Sequence, residues 1–454
     1  MFSVHGERTP GFKLALAIVV GLVLTIPLFL VWLLVYDRKT QSEEATASIT
    51  EGWGGAQTMN GPVLVIPYRT TTTETAVENG QSVTRTRDVR RELTLAPETV
   101  GLTTDVRPEV RKRSIYEAVV YDARVGGDAR FSLPPDFAQS GVDPSQMDLG
   151  KAELRFGLSD ARGLGANPSV KADGIPLRLQ PGGGSSGGQG FFAWIDASAI
   201  GAKPISIHFE FNFRGNQSLS LFPNAGDTAW KVHSTWASPS FAGAFLPEGR
   251  NVDAKGFDAV YRIGNLALGR SLISTGDPAA AQTVAPTDAS GQPQVQTAQI
   301  SLIQPVDPYS QVNRATKYGF LFIGFTFLAL LMFDVIGGVR VSAVEYLLMG
   351  AALVLFFVLL LAFAEVIGFT PAYVVASAAI AGLNTAYSAA VLASWNRAAF
   401  IGGLLVALYG VLYILLSLEA FSLLIGSLLL FAALAGVMYA TRRIDWGGRR
   451  AADA

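Results

Sequence analysis

Few residues of this chain have the types and spacing that support chemistry. It contains three histidines and no cysteine. His208 and His233 lie far apart in strand-like sequence, whereas a zinc site needs three or four ligands, commonly with a close-spaced pair. We find no HExxH, SxxK or Walker A motif. The sequence therefore predicts no catalytic residue, no metal site and no cofactor, and it predicts half-buried strand positions for the two histidines.

A segment rich in aromatic residues and proline is the main candidate for binding. Residues 235–250 read TWASPSFAGAFLPEGR, a composition suited to a rigid apolar contact surface, because aromatic residues are enriched where proteins bind each other. The alternative is that these side chains fill the core of a β domain or dock onto membrane helices. The candidate interaction surface consists of Trp236, Pro239, Phe241, Phe245 and Leu246.

Basic side chains cluster on either side of residue 100, in a predicted hairpin region. One interpretation is a surface that binds anionic lipid headgroups or an acidic polymer. The favoured interpretation is a solvated strand face, balanced by Glu92, Glu98, Glu109 and Glu117. The basic residues are Arg85, Arg87, Arg90, Arg91, Arg107, Arg111, Lys112 and Arg113.

Long apolar runs predict transmembrane helices in the N-terminal and C-terminal parts of the chain. About 20 apolar residues cross a bilayer as a helix, and only 16% of the residues are charged. One apolar run covers residues 14–36, and it ends in WLLVYDRK, so it reads as a retained anchor rather than a signal peptide. We predict six transmembrane helices, one N-terminal and five C-terminal, the latter at about 318–338, 345–365, 370–393, 398–418 and 420–440.

The short connections between these runs predict the orientation. Positive charge marks cytoplasmic loops, and the junctions near Glu365 and Glu419 carry no Lys or Arg. Both termini are therefore predicted to be cytoplasmic, and residues 37–317 are predicted to lie on the opposite side of the membrane. The predicted divisions are a tail and anchor (1–36), an outside domain (37–317), a five-helix bundle (318–441) and a basic tail (442–454). The basic residues on the inner side are Arg8, Lys13, Arg340, Arg397, Arg442, Arg443, Arg449 and Arg450.

The outside domain has the residue pattern of a β structure. Ile205, Ile207, Phe209 and other apolar residues alternate with polar ones, which is typical of a strand with one buried face. Short runs of this kind, separated by Gly, Pro, Asn or Asp, recur through the domain. We predict a membrane protein of the α+β class, with a large all-β, sandwich-like domain between the first and second transmembrane helices. The lack of cysteine excludes disulfides, so burial must stabilise the domain.

Polar residues within the predicted helices form one cluster at depth. Asn384, Thr385 and Ser388 lie near the centre of a span, and hydrogen bonding between helices is the favoured role. The ionisable residues all lie near span ends, which argues against a proton-coupled pump. They are Asp334, Glu345, Glu365 and Glu419.

Several long strings resemble the CreD family of bacterial inner-membrane proteins, which are described as cell envelope integrity proteins. They include GPVLVIPY after the anchor, PEVRKRSIYEAVVYDA at 108–123, STWASPSFAGAFLPEGRNVDAKGFDAVY at 234–261 and VEYLLMGAALVLFFVLLLAFAE at 344–365. The join at 302–334 also matches, so the resemblance covers nearly the whole chain. Ser114 stands where the family has glycine, and Tyr261 where it has tryptophan.

The resemblance implies a location and a phenotype class more than a mechanism. It implies a role in envelope integrity, colicin tolerance and expression under a two-component system, with no catalytic residue to carry over. The favoured function is a non-enzymatic inner-membrane protein whose periplasmic domain binds or braces envelope components. The alternative is a transporter or membrane-embedded enzyme that uses the helix bundle. The expected partners are the lipid bilayer and an unknown envelope protein or polymer, with no nucleic acid.

Overall fold

The computed structural model describes residues 10–78, 81–184, 188–275, 296–302, 308–335, 341–417 and 422–442. Contacts divide the chain into two compact units. One is formed by Met1–Glu44 with Val306–Ala454, and the other by Ala45–Pro305. The first unit is helical, and the second consists mainly of β-strands.

The longer helices of the described residues follow the apolar runs of the sequence. The first, α1, extends beyond its apolar run into polar sequence. The helices are α1 (Pro10–Thr50), α2 (Asn265–Leu268), α3 (Pro308–Lys317), α4 (Gly319–Val335), α5 (Ala343–Ile367), α6 (Phe369–Val391), α7 (Trp395–Ser417) and α8 (Ser422–Thr441).

The predicted count of six membrane-spanning helices is wrong. Within the described residues, five helices are long and apolar enough to span a membrane, and the span predicted at 420–440 is not among them. It corresponds to α8, for which Gly426–Gly436 is found as a shorter apolar segment. The five are Gly11–Thr50, Pro308–Val335, Ala343–Ile367, Phe369–Val391 and Trp395–Leu416.

Two local features contribute to the packing and stability of the helical unit. At the start of α5, the Ser342 hydroxyl accepts a hydrogen bond from the Glu345 backbone N–H at 3.3 Å, and the Glu345 carboxylate accepts one from the Ser342 N–H at 2.6 Å. This capping box satisfies two N–H groups that have no partner within the helix. Between α6 and α7, a Cβ added to Gly402 would collide with the Thr385 side chain, so glycine permits the close packing of these helices.

The second unit contains seventeen strands among the described residues. They are β1 (Gln57–Glu78), β2 (Gln81–Leu95), β3 (Thr99–Arg113), β4 (Tyr116–Phe131), β5 (Ala152–Leu158), β6 (Ser169–Ala172), β7 (Ile175–Pro176), β8 (Leu179–Pro181), β9 (Gly190–Ile195), β10 (Ile205–Asn216), β11 (Ser218–Phe222), β12 (Asp227–Ser234), β13 (Ser240–Gly243), β14 (Gly249–Asp253), β15 (Gly256–Gly264), β16 (Ile273–Ser274) and β17 (Ala298–Ser301).

These strands form two sheets over one core. Within the described residues, the first sheet has the order β13-β17-β11-β1-β5-β9-β8, with β2 and β16 attached through β1, and the second has the order β14-β15-β12-β3-β4-β10-β6-β7. Their apolar faces share one cluster of buried side chains. Phe156 of the first sheet meets Phe209 of the second with ring centroids 5.2 Å apart. The prediction of a large β domain is confirmed, and its architecture is a sandwich.

The alternation predicted for β10 is also confirmed. Ile205, Ile207 and Phe209 are buried, as are the apolar residues that follow at every second position, while Ser206 and His208 are exposed. Each apolar side chain therefore adds to the core, and each polar one meets solvent.

Candidate functional site

A tryptophan just after α1 is held between two arginines. The guanidinium carbon of Arg111, in β3, lies 3.7 Å from the centre of the Trp53 ring, and that of Arg214, in β10, lies 4.4 Å away. The indole N–H donates to the Tyr121 backbone carbonyl at 3.3 Å. These contacts are cation–π interactions and a hydrogen bond. They fix the segment that follows α1 against the second sheet.

Gln57 and Asp160 complete this junction by binding backbone groups. The Gln57 amide donates to the carbonyls of Asp160 and Arg214, each at 2.9 Å, and its oxygen accepts from the Asp160 N–H at 3.2 Å. The Asp160 carboxylate accepts from the Gly55 N–H at 3.0 Å. Because Gln57 begins β1 of the first sheet and Arg214 lies in β10 of the second, the bond between them links the two sheets at the start of β1.

The ionisation of Asp160 reflects these bonds. Arg162 donates from Nη2 to the Asp160 carboxylate at 2.8 Å. This bond, with smaller contributions from the Gly55 and Arg162 backbone N–H groups, lowers the Asp160 pKa from 3.8 to about 2, although burial opposes the shift. The junction therefore carries a fixed negative charge at neutral pH.

The predicted interaction segment supplies an edge strand to each sheet. The strand β13 is the edge of the first sheet, and β14 is the edge of the second. Trp236, Phe241 and Phe245 are half-buried and pack against the core, and the Phe241 ring meets the Phe257 ring edge-on at 5.7 Å. Leu246, in the loop between the two strands, is 65% exposed.

This placement divides the predicted surface into two parts. Pro239 is half-buried like the three aromatic residues, so these four positions match the core-filling alternative more closely than a free surface. Leu246 and the five exposed residues of β14 remain accessible in the β unit. Binding by this segment stays a prediction, and it now rests on the loop and the second edge strand.

The predicted polar cluster lies inside the helical unit on α6. Asn384 and Ser388 are buried, and the Ser388 hydroxyl lies 4.0 Å from the Met349 sulfur. The Thr385 hydroxyl donates to the Ala381 carbonyl of its own helix at 2.6 Å. The Asn384 amide nitrogen has no hydrogen-bond partner among the described residues. The predicted bonding between helices is therefore not seen for Asn384 and Thr385 in the described part of the chain.

An ion pair that the sequence did not predict joins two helices of this unit. The Lys13 ammonium in α1 donates to the Asp334 carboxylate at 2.7 Å and to the Asp334 backbone carbonyl at 2.9 Å. Asp334 is only 3% exposed. The sequence placed both charged residues at the ends of predicted transmembrane helices. It gave no signal that these two helix ends lie side by side.

Both domain histidines are exposed, and each lies beside one carboxylate. His208 Nδ1 is 2.8 Å from Asp128, and His233 Nδ1 is 2.9 Å from Asp258. Within the described residues, no group of three or more His, Cys, Asp or Glu side chains could hold a metal ion. The predicted half-burial of these histidines is wrong, because both face solvent on the outer side of the second sheet.

The predicted basic cluster consists of two separate parts. Arg87, Arg90 and Arg91 lie on β2 in the first sheet, whereas Arg111 and Arg113 lie on β3 in the second. Several of the basic side chains pair with neighbouring carboxylates, as the balanced interpretation expects, and Lys112 meets Glu117 at 2.6 Å. The sequence placed these residues together because they are close along the chain, but β2 and β3 belong to different sheets.

The sequence reasoning missed the junction altogether. Trp53 and Asp160 lie far apart in the chain, and neither belongs to a known motif. The available signal was the isolated string EGWGG between the helical and strand-like sequence, since a tryptophan flanked by glycines at such a boundary needs a packing partner.

Comparisons with known proteins identify the family of this chain. A family profile described as "Inner membrane protein CreD" matches residues 9–447. A relative named Inner membrane protein CreD, from Escherichia coli (strain K12), is 31% identical over 428 residues, which cover 94% of this chain and 91% of the relative. The chain therefore belongs to the CreD family of inner membrane proteins.

Proposed function

We propose that this protein is a non-enzymatic inner-membrane protein that supports cell envelope integrity, and that its β domain binds or braces envelope components in the periplasm. The observation that carries the proposal is the edge-forming segment that includes β13 and β14. It crosses from one sheet to the other, and its loop exposes Leu246. Edge strands present unpaired backbone groups that can bind another chain.

The structure indicates which side chains of this segment suit a test. Phe241 packs against the core, so its loss would unfold the domain locally rather than report on binding. Leu246 and Val252 are exposed, at 65% and 44%, and their replacement by serine should leave stability nearly unchanged. Leu266 is a matched control, because it is an apolar residue on the same domain and is 92% exposed.

The test combines crosslinking with complementation in cells that depend on this protein. A photo-crosslinking residue at Leu246 should capture an envelope component, whereas the same residue at Leu266 should not. The double change Leu246→Ser, Val252→Ser should reduce envelope protection, and Leu266→Ser should not. Equal crosslinking at both positions, or full protection by the double variant, would contradict the proposed binding segment.

A transporter function is the second candidate, and one observation favours it. The buried Asn384 amide nitrogen lacks a protein partner among the described residues, and buried polar groups usually bind something. If the bundle moves a polar solute, Asn384→Leu should reduce its uptake by reconstituted vesicles. Thr385→Val is the control, since that hydroxyl binds only its own helix. Equal uptake by the parent and the Asn384 variant would exclude this role for the residue.

The proposed orientation places the N-terminus in the cytoplasm and residues 37–317 in the periplasm. It is supported by Arg8 and Lys13 on the near side of α1. A phosphatase fused at Gly187 should be active, and an inactive fusion would contradict the orientation. The side of the membrane on which the C-terminal tail lies depends on whether α8 crosses the bilayer. The tail's arginines favour the cytoplasmic side, and the activity of a second phosphatase fusion after Arg450 tests this placement.

A further inference from the structure

The strands β1 and β2 continue as a two-stranded ribbon beyond their neighbours in the first sheet. The pairing of β5 with β1 ends at Val65, and β16 pairs with β2 only at Leu95 and Thr94. β1 and β2 remain paired beyond this point, where Arg69 lies opposite Arg90. Within the described residues, the rest of the outer edge of β2 therefore has no strand beside it. Such an edge presents backbone N–H and C=O groups that can pair with another chain.

Four exposed arginines lie where the ribbon begins. Arg69 and Arg90 are directly opposite each other, and like charges in that position destabilise a pair of strands. Arg87 and Arg91 lie on the other face of β2, because side chains alternate along a strand. All four side chains are exposed, so this part of the ribbon presents positive charge on both faces.

Carboxylates do not neutralise these arginines. Residues 86–91 contain one acidic residue, Asp88, and the next carboxylate along β2, that of Glu92, meets the Arg155 guanidinium at 3.1 Å instead. In the part of the chain that the structure describes, no ion pair joins any of the four arginines to a carboxylate. The ribbon therefore combines a free strand edge with positive charge that lacks a partner.

The pairing of β16 shows in which direction a third strand adds to this edge. Ile273 lies opposite Leu95 and Ser274 opposite Thr94, so β16 runs antiparallel to β2. Three strands are more stable than an isolated pair, which favours a partner that pairs with the edge farther along. A partner in the same direction would meet, in order, Arg91, Arg90, Val89, Asp88 and Arg87.

We propose that the outer edge of β2 binds an extended acidic segment of another protein, which adds to it as an antiparallel third strand. The charges define the partner's sequence: acidic residues opposite Arg91, Arg90 and Arg87, an apolar residue opposite Val89, and no acidic residue opposite Asp88. Main-chain hydrogen bonds supply the affinity, and the side chains supply the specificity. The partner's carboxylates also offset the repulsion between the two opposed arginines. This surface is separate from β13 and β14, and the proposal does not rest on binding there.

A synthetic peptide with this pattern tests the proposal on the full-length protein in a nonionic detergent. The probe is Thr-Glu-Glu-Val-Thr-Glu-Thr with a fluorescent label, and its anisotropy measures binding. Each cross-strand charge pair contributes roughly 1.5- to 5-fold to an equilibrium. The triple change Arg87→Gln, Arg90→Gln, Arg91→Gln should therefore lower the affinity about tenfold, and because these side chains are exposed, the variant should fold as the parent does.

Three arginines of the second sheet provide a matched control. Each is exposed but already lies beside a carboxylate, at 3.7 Å for Arg107, 3.5 Å for Arg130 and 3.8 Å for Arg262. Replacing all three with glutamine removes the same charge from the same domain. The affinity for the peptide should then stay within about twofold of the parent's, because general attraction between opposite charges is small at moderate salt.

Two further measurements test the pairing itself. Arg87→Glu should weaken binding of the probe, and a probe with lysine at its sixth position should restore it, whereas lysine at the second position should not. Alternate N–H groups of a strand point to opposite sides. Methylating alternate backbone nitrogens of the probe should therefore abolish binding in one frame and leave it nearly unchanged in the other.

Four results would overturn the proposal. Unchanged affinity in the β2 triple variant, or an equal fall in the control, would show that these arginines do not recognise the peptide. Equal effects of methylation in the two frames would show that the peptide does not add as a strand. Binding of polygalacturonate but not of the peptide would assign the arginines to an acidic polysaccharide. Dimerisation that the triple change abolishes, without peptide binding, would assign the edge to a second copy of this chain.

Discussion

Replacing Tyr261 with phenylalanine should stabilise the β domain. Tyr261 is fully buried in β15, and its ring stacks on Trp230 of β12 with centroids 5.0 Å apart. The Trp230 indole donates to the Thr104 hydroxyl at 2.9 Å, but the Tyr261 hydroxyl has no hydrogen-bond partner among the described residues. A buried hydroxyl without a partner costs about 1–3 kcal/mol, and phenylalanine keeps the ring without that cost.

Tyr121 provides the matched control. It is also a buried tyrosine of this domain, at 1% exposure, but its hydroxyl donates to the Ser218 backbone carbonyl at 2.8 Å. Tyr121→Phe removes a made hydrogen bond and leaves a carbonyl without its partner, so it should destabilise by about 1 kcal/mol. The same chemical change should thus have opposite signs at the two positions.

Calorimetry of the full-length protein in detergent, at pH 7.5, measures both changes. For a domain of this size, 1 kcal/mol corresponds to about 2–4 °C in Tm, so Tyr261→Phe should raise the transition of the β domain by at least about 2 °C. Burial raises the pKa of both Tyr261 and Tyr121, so both are neutral at this pH. Because the pKa is raised in the folded state, the contribution of these tyrosines to the free energy of unfolding is fully present below the ordinary tyrosine pKa near 10. It is lost as the pH rises above that value. A lower Tm for Tyr261→Phe would refute the reasoning, because it would mean that the hydroxyl is bonded in the folded protein.

Three further changes test separate parts of the structure. Ser114 has a φ of +58°, so Ser114→Gly should stabilise the domain by about 1 kcal/mol, measured as a higher Tm. Asp160 contributes about 1–2 kcal/mol through its lowered pKa, present above pH 4 and lost as the pH falls toward 2. Asp160→Asn should therefore lower stability at pH 7 and flatten its dependence between pH 4 and 2 in denaturant titrations. Lys13→Met leaves the buried Asp334 carboxylate unpaired and should cost about 3–5 kcal/mol in a detergent melt, of which an added Asp334→Leu should restore most.

The predictions that succeeded rest on patterns contained within one element. The alternation in β10 and the length of the apolar runs follow from the period of a strand and the thickness of a bilayer. Such features depend on neighbours along the chain, which a single sequence displays.

The predictions that failed depend on which elements lie side by side. The basic residues of β2 and β3 are close in sequence, but the two strands enter different sheets. The opposite case is Lys13 and Asp334, which are 321 positions apart in the sequence and form an ion pair. The junction around Trp53 is of the same kind, since Arg111 and Arg214 come from different strands. Nothing in a single sequence shows that such distant positions lie side by side.

The extended hairpin of β1 and β2 provides a last test of what stabilises the β domain. Beyond the bridge between Tyr68 and Met147, β1 and β2 remain paired from Arg69 with Arg90 to Glu78 with Gln81, about 30 Å of two-stranded ribbon. An isolated two-stranded ribbon is only marginally stable, so this part of the hairpin should contribute little to the stability of the sandwich. Removing residues 72–87 should therefore leave the Tm of the β domain within about 2 °C of the parent in calorimetry. A larger fall would show that the ribbon stabilises the sandwich, and it would contradict the reasoning from strand pairing.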